Sequence, residues 1–235
     1  MAELEVSAVT DGVVFAELDR PPGNLWTVGL CRELASLLMS PPDGAHVLRL
    51  RSRGEAFCLG REREGSTPGE LREEAQVLVS VQRALRRTRL VTVAEVQGDA
   101  AGFGVGVLAA CDVAIATADA RFSFPEVGIG LAPALVLAWL PRIVGERQAF
   151  WLTATGEAIP AARALELGLL NAVVASAEEL RTEVDRHVAL LRVADPRVHA
   201  EIRDMLRAFA PLGHDEALDM SIDRLVVGSL RRGAS

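Results

Sequence analysis

The 235-residue sequence contains no lysine and no tyrosine, so all 25 of its basic residues are arginine. Losing one basic and one aromatic type throughout reads as a bias of coding composition, and no function is inferred from it. Cysteine is scarce. Cys31, Cys58 and Cys111 are odd in number, far apart and outside any CxxC spacing, which excludes a disulfide framework and a zinc site and suits a reducing compartment. No apolar run is long and uninterrupted: Ala100 to Cys111 and Val127 to Pro141 carry several Gly or Pro and fall short of the roughly 18 residues a membrane span needs. The N-terminus has early acids and alternates like a strand, so a signal peptide is not expected and the cytoplasm is. A net charge of -7 argues against nonspecific binding to nucleic acid or an anionic membrane. The densest basic run, Arg86, Arg87 and Arg89, reads as a solvated helix end.

What is present is half hydrophobic and a quarter charged, enough to bury a sizeable core. Residues 3 to 9 and 12 to 18 flank Asp11-Gly12 and predict a β-hairpin. Asn24 is placed to cap a helix running to Met39 with a leucine stripe. A strand over 46 to 50, a second ending at Gly60, and a long surface helix over 69 to 88 follow. Leu90 to Val96 predicts a buried strand and Asp112 to Ala116 another. Pro133 to Val144 predicts one apolar helix, Glu146 to Thr153 a second, and Pro160 the first position of a third that Gly168 ends. Leu169 to Val174 is the last expected strand, and only helical patterns follow Ser176. Alternating strands and helices imply an α/β fold, with a core over 1–175 and a helical region over 176–235.

The chemistry concentrates between Gly98 and Ile143. Glycines at 102, 104 and 106 remove side chains at every second position and let the backbone approach a ligand or another segment closely. Glu126 is followed by Val127, Gly128, Ile129, Gly130 and Leu131; a poorly solvated carboxyl has a raised pKa useful for proton transfer, which makes it the first catalytic candidate. The run from Gly104 to Ala109 fits a loose dinucleotide fingerprint, but seven residues separate it from the preceding strand ending near Val96, where a nucleotide-binding turn would start at once. His46, His187, His199 and His214 show no metal-ligand spacing, and no G-x-S-x-G elbow is present. Asp99 reads as a turn residue, while Arg20 and Arg63 are candidates to meet phosphates.

Four segments, GVVFAELDRPPGNL, GEAFCLGRE, VQGDAAGFGVGVLAACDVAIATADARFSFPEVGIGL and GEAIPAARALELGLLNAVV, together resemble the crotonase (enoyl-CoA hydratase/isomerase) superfamily in order and register. The resemblance implies a crotonase-like spiral of ββα units with a helical C-terminal region for oligomerisation or active-site cover, in a homotrimer or hexamer. It implies an acyl-CoA or acyl-carrier-protein substrate, with coenzyme A or phosphopantetheine as part of the substrate and no metal or other cofactor. An enolate would be held between the backbone amides of Arg61 and Phe103, with Ala56, Cys58, Gly60, Gly102 and Leu131 around the acyl group. Glu62 falls where the family commonly has Asp. The family usually has Gly where Phe103 stands, and Gly106 stands where its hydratases carry a first glutamate; Glu126 matches the second. One carboxylate suits double-bond isomerisation. GFGVGVLAACD and GLAPALVLAWLPRIVG are also similar to polyketide-pathway dehydratases of 3-hydroxy-3-methylglutaryl groups on acyl carrier protein. The alternative is a noncatalytic homologue that binds acyl carrier protein or acts as a scaffold.

Overall fold

A computed structural model describes residues 3–233 of the chain. It is an α/β protein in which successive strands alternate between two sheets. After the antiparallel hairpin β1 (Leu4–Val6) and β2 (Val13–Leu18) and helix α1 (Val28–Met39), each turn of the chain gives one strand to each sheet. The turns are β3 (Val47–Ser52), β4 (Ala56–Cys58) and α2 (Pro68–Arg87); β5 (Val91–Val96), β6 (Asp99–Ala101) and α3 (Phe103–Ala110); and β7 (Val113–Thr117) with β8 (Arg121–Ser123). The larger sheet runs β1-β2-β3-β5-β7-β10, closed by β10 (Ala172–Val174), and is parallel beyond the hairpin. The smaller runs β4-β6-β8-β9, with β9 (Ile159–Pro160) antiparallel. After β8 come a single 3-10 turn (Pro125–Ile129) and α4 (Ala134–Leu137), α5 (Pro141–Val144), α6 (Glu146–Thr155) and α7 (Ala161–Glu166).

Three local expectations are corrected. Asn24 caps nothing: it is fully buried at φ 49°, accepts from the Arg20 amide at 2.8 Å and donates to the carbonyls of Arg53 and Ala56 at 2.7 Å. Thr27 is the cap instead, its hydroxyl accepting from Leu30 N–H. The apolar helix expected over 133 to 144 is split into α4 and α5, because Pro141 has no N–H to continue the ladder. Pro160 precedes α7 rather than opening it, its extended backbone pairing in β9.

The domain edge also moves. The first compact unit runs to Pro196, so α8 (Ala177–Val193) belongs with the core rather than with the tail expected to begin at 176. The reason is packing: Leu180, Val184 and Val188 bury against Val47, Val91, Val93 and Ile115 of the sheet. Alternation puts Arg49 on the same sheet face, where it reaches Glu95 at 2.7 Å and Asp185 of α8 at 2.5 Å. The second unit comprises α9 (Pro196–Phe209) and α10 (His214–Gly233), linked by an Arg231–Glu201 ion pair. Among the described residues, no helix is long and apolar enough to cross a membrane.

Candidate active site

The glycines of α3 allow close approach. A Cβ on Gly104 would lie 2.2 Å from the Cys58 carbonyl oxygen, and one on Gly98 only 1.7 Å from that of Glu55, so both glycines let the β5–α3 segment lie directly on β4. Gly102 precedes α3 at φ 49°, a conformation that glycine takes without strain. Phe103 then enters the helix without a positive φ, which is why a side chain is tolerated where the family usually has Gly. Its ring turns into the core, edge-on to Trp26 at 6.4 Å.

On the facing side, β4 ends at Cys58 and Gly60 turns the chain at φ 127°. Trp26 N–H donates to the Gly60 carbonyl and Glu62 N–H to the Trp26 carbonyl, a parallel bridge that leaves Arg61 N–H pointing away. Neither Arg61 nor Phe103 donates its amide in any backbone bond among the described residues. The loop is held from beneath by Glu74, which is buried on α2. One of its oxygens accepts from the amides of Glu64 at 3.1 Å and Gly65 at 2.8 Å, and the other pairs with the Arg61 guanidinium.

Glu126 lies in the 3-10 turn opened by Pro125, its carbonyl accepting from Leu131 N–H at 3.0 Å. Its Oε1 is 2.9 Å from where a Gly102 Cβ would be, and its Oε2 is buried with no hydrogen-bond partner among the described residues. Burial pushes the carboxyl above the ordinary glutamate range, opposed by its own backbone N–H and by the positive charge of Arg61. A cavity of about 540 Å³ opens here, its walls including Gly60, Arg61, Gly102, Phe103, Glu126 and Leu131. Six of the eight site residues expected from the sequence therefore meet at one cavity.

Ala56 and Cys58 do not line it. Both are buried in β4 behind the wall, where desolvation pushes the Cys58 thiol up to about 12 and leaves it inert as a nucleophile. Arg20 is committed to Glu3 and Glu62 in a separate hollow of about 460 Å³, so of the two phosphate candidates only Arg63 reaches the cavity. Asp99 accepts from Arg121 N–H as a turn acid, and Glu62 pairs with Arg20. Among the described residues no cluster of His, Cys, Asp and Glu could hold a metal ion. Sequence reading missed Glu74 and Gln82, the latter also on the cavity wall. The signal available was their place on the stripe of Leu71, Leu78, Val81 and Leu85, where a polar residue turns inward.

Residues 8–223 match the model of the enoyl-CoA hydratase/isomerase family. The chain belongs to that family. Among relatives, it is 28% identical to the enoyl-CoA hydratase ACTT6 of Alternaria alternata, over 92% of this chain and 74% of the other. It is 27% identical to the trans-2-decenoyl-[acyl-carrier-protein] isomerase of Streptococcus mutans, over 92% and 86%. The crystal structure of an enoyl-CoA hydratase from Mycobacterium smegmatis superposes with a TM-score of 0.91 at 24% identity, covering 97% of this chain and 91% of that one, which establishes the crotonase fold. The protein is thus an enzyme-family member of the hydratase/isomerase type, with the Glu126 cavity as its candidate active site.

Proposed function

We propose that the protein acts on an acyl thioester carried by coenzyme A or by the phosphopantetheine of an acyl carrier protein, using Glu126 as its single acid/base. The observation that carries this is the meeting of a poorly solvated carboxylate, one oxygen of which has no hydrogen-bond partner among the described residues, with two unengaged backbone amides at one cavity. The thioester oxygen sits between the amides of Arg61 and Phe103, where negative charge develops as a proton leaves the second carbon. Glu126 takes that proton. It returns it to another carbon, shifting a double bond, or delivers it to a departing hydroxyl that leaves as water. Gly106 supplies no second carboxylate, which weighs against water addition by a glutamate pair. Arg63 meets the carrier's phosphate. This chemistry needs no metal and no redox cofactor.

The named relatives include one named for a coenzyme A thioester and one for an acyl-carrier-protein thioester, so both carriers belong in the test; a place in polyketide assembly rests on the likeness of GFGVGVLAACD and GLAPALVLAWLPRIVG to the polyketide-pathway dehydratases. The reading also includes a trimer-based assembly in the cytoplasm. Val198, Ile202 and Leu206 form an exposed stripe on α9, and Leu218, Ile222 and Leu225 one on α10, more apolar surface than a lone chain leaves in water. Light scattering after gel filtration checks it: a monomer at micromolar concentration refutes the assembly.

The deciding experiment is incubation in deuterated water with butenoyl, 3-hydroxyacyl and 3-hydroxy-3-methylglutaryl thioesters on both carriers, followed by mass spectrometry. Deuterium gain without mass loss identifies isomerase-type proton transfer, and loss of water identifies a dehydratase. No change with any substrate refutes the enzymatic reading and leaves a carrier-binding scaffold.

A further inference from the structure

Gly102, which caps α3, and Gly106, within it, are four residues apart and joined by the Gly106 N–H to Gly102 carbonyl bond of 3.1 Å. Each lacks a side chain, and each vacancy is filled from another element. Glu126 Oε1 lies 2.9 Å from where a Gly102 Cβ would be. Gln82 Nε2, from α2, lies 3.0 Å from where a Gly106 Cβ would be, and the Trp139 indole edge is 3.7 Å from the same point. A carboxylate and a neutral amide thus sit against one wall, at glycines four residues apart. Both line the cavity.

Resting on the thioester reading above, we propose that Gln82 is a specificity-determining residue whose amide binds an oxygen on the third carbon of the acyl group, so that the enzyme prefers 3-oxygenated acyl thioesters to plain hydrocarbon ones. Three observations carry this. The Gln82 amide makes no hydrogen bond among the described residues, although it shares the cavity wall with Ala75 and Leu78 of its own helix and with the apolar segment Leu131 to Val136. A hydrocarbon chain filling that space would bury the amide unpaired, whereas a hydroxyl or carbonyl oxygen would satisfy it. A carboxylate and an amide against neighbouring glycines of one wall suit a ligand that offers a hydrogen on its second carbon to one and an oxygen on its third to the other. Finally, the amide has little room to turn away over Gly106, because Trp139, braced against Phe124 at a ring separation of 6.3 Å, closes the space on that side. A neutral amide cannot exchange protons at neutral pH, so Gln82 recognises and does not replace the missing acid.

The test is calorimetric binding of butyryl and 3-hydroxybutyryl thioesters, on coenzyme A and on acyl carrier protein, to the full chain carrying Glu126→Gln so that nothing turns over. The expected result is about tenfold tighter binding of the 3-hydroxy ligand, lost in a further Gln82→Leu or Gln82→Met variant that binds the butyryl thioester as before. Equal affinity for the two ligands, retention of the preference in both Gln82 variants, or no binding of either thioester overturns the proposal. The preference is read without catalysis, so a wild-type protein that exchanges no deuterium yet shows it would sink the proton-transfer reading and leave this one standing.

Discussion

Two regions of this molecule take a glutamate out of water, and they treat it in opposite ways. At the α8 interface Glu95 is almost wholly buried and meets the Arg49 guanidinium at 2.7 Å, which in turn stacks over Phe15 at 4.8 Å and reaches Asp185. At the cavity Glu126 is only partly buried, yet one of its oxygens has no partner among the described residues and its proton affinity is raised. A paired charge fixes one arrangement of helix on sheet. An unpaired one keeps a proton exchangeable. Glu74 lies between these cases: it is paired and structural, but what it holds is the loop that carries the Arg61 amide.

Changing the unpaired carboxylate has the largest expected effect, and it falls on rate. Glu126→Gln is expected to lower turnover by about 10²- to 10⁴-fold while the melting temperature holds or rises, measured by mass spectrometry of the thioester pool. In the wild type the rate rises with pH to a plateau, because the base must be ionised, and its midpoint lies above the ordinary glutamate range. A midpoint at or below that range would mean that the carboxylate is solvated and the contrast with Glu95 is false.

The paired carboxylate comes next, and its effect falls on stability. Glu95→Ala leaves the Arg49 charge buried with only the exposed Asp185 as partner, and is expected to destabilise by about 3 kcal/mol, a fall of roughly 6–12 °C in melting temperature. Replacing both partners by apolar residues, Arg49→Met with Glu95→Leu, is expected to recover most of that loss in a double-mutant cycle. If the double variant is as unstable as the single one, packing rather than the uncompensated charge sets the cost.

Glu74→Ala is smaller. It strips acceptors from the amides of Glu64 and Gly65 and the counter-charge from Arg61, for about 2 kcal/mol in urea unfolding. Because the loop carries the Arg61 amide, turnover is expected to fall by about tenfold in protein that is still folded. Loss of stability with unchanged turnover would place Glu74 with Glu95 as a purely structural group.

The sequence revealed the paired and unpaired sites unequally. The strands along the chain were legible because Leu90 to Val96 and Asp112 to Ala116 are short apolar runs bounded by turn residues, and Glu126 stood out because its neighbours cannot solvate it. What could not be read was anything set by contact across the chain. Asn24 has a capping residue's identity, but three backbone groups brought together by the fold claim its amide. The place of α8 with the core depends on Leu180, Val184 and Val188 meeting Val47, Val91, Val93 and Ile115 across the chain, and helical periodicity alone does not say which helix docks on which sheet face. Gln82 fills the space of an absent Gly106 side chain from a different helix, a relation with no counterpart in sequence spacing.

The smallest predicted effect sharpens the comparison most, because it separates the two glutamates by sign. Since burial raises its pKa, folded Glu126 holds its proton to higher pH than the unfolded chain does, so stability from this group is lost as pH climbs from the ordinary glutamate range through the folded value. Glu126→Gln removes that cost. It is expected to stabilise the protein at neutral pH by no more than about 1 kcal/mol, since the group is partly solvated, with the advantage fading once the pH falls below the ordinary glutamate range. Unfolding in urea at neutral and acidic pH checks it. If Glu126→Gln instead destabilises at neutral pH, the carboxylate has found a partner on folding, and it belongs with Glu95 as a structural charge.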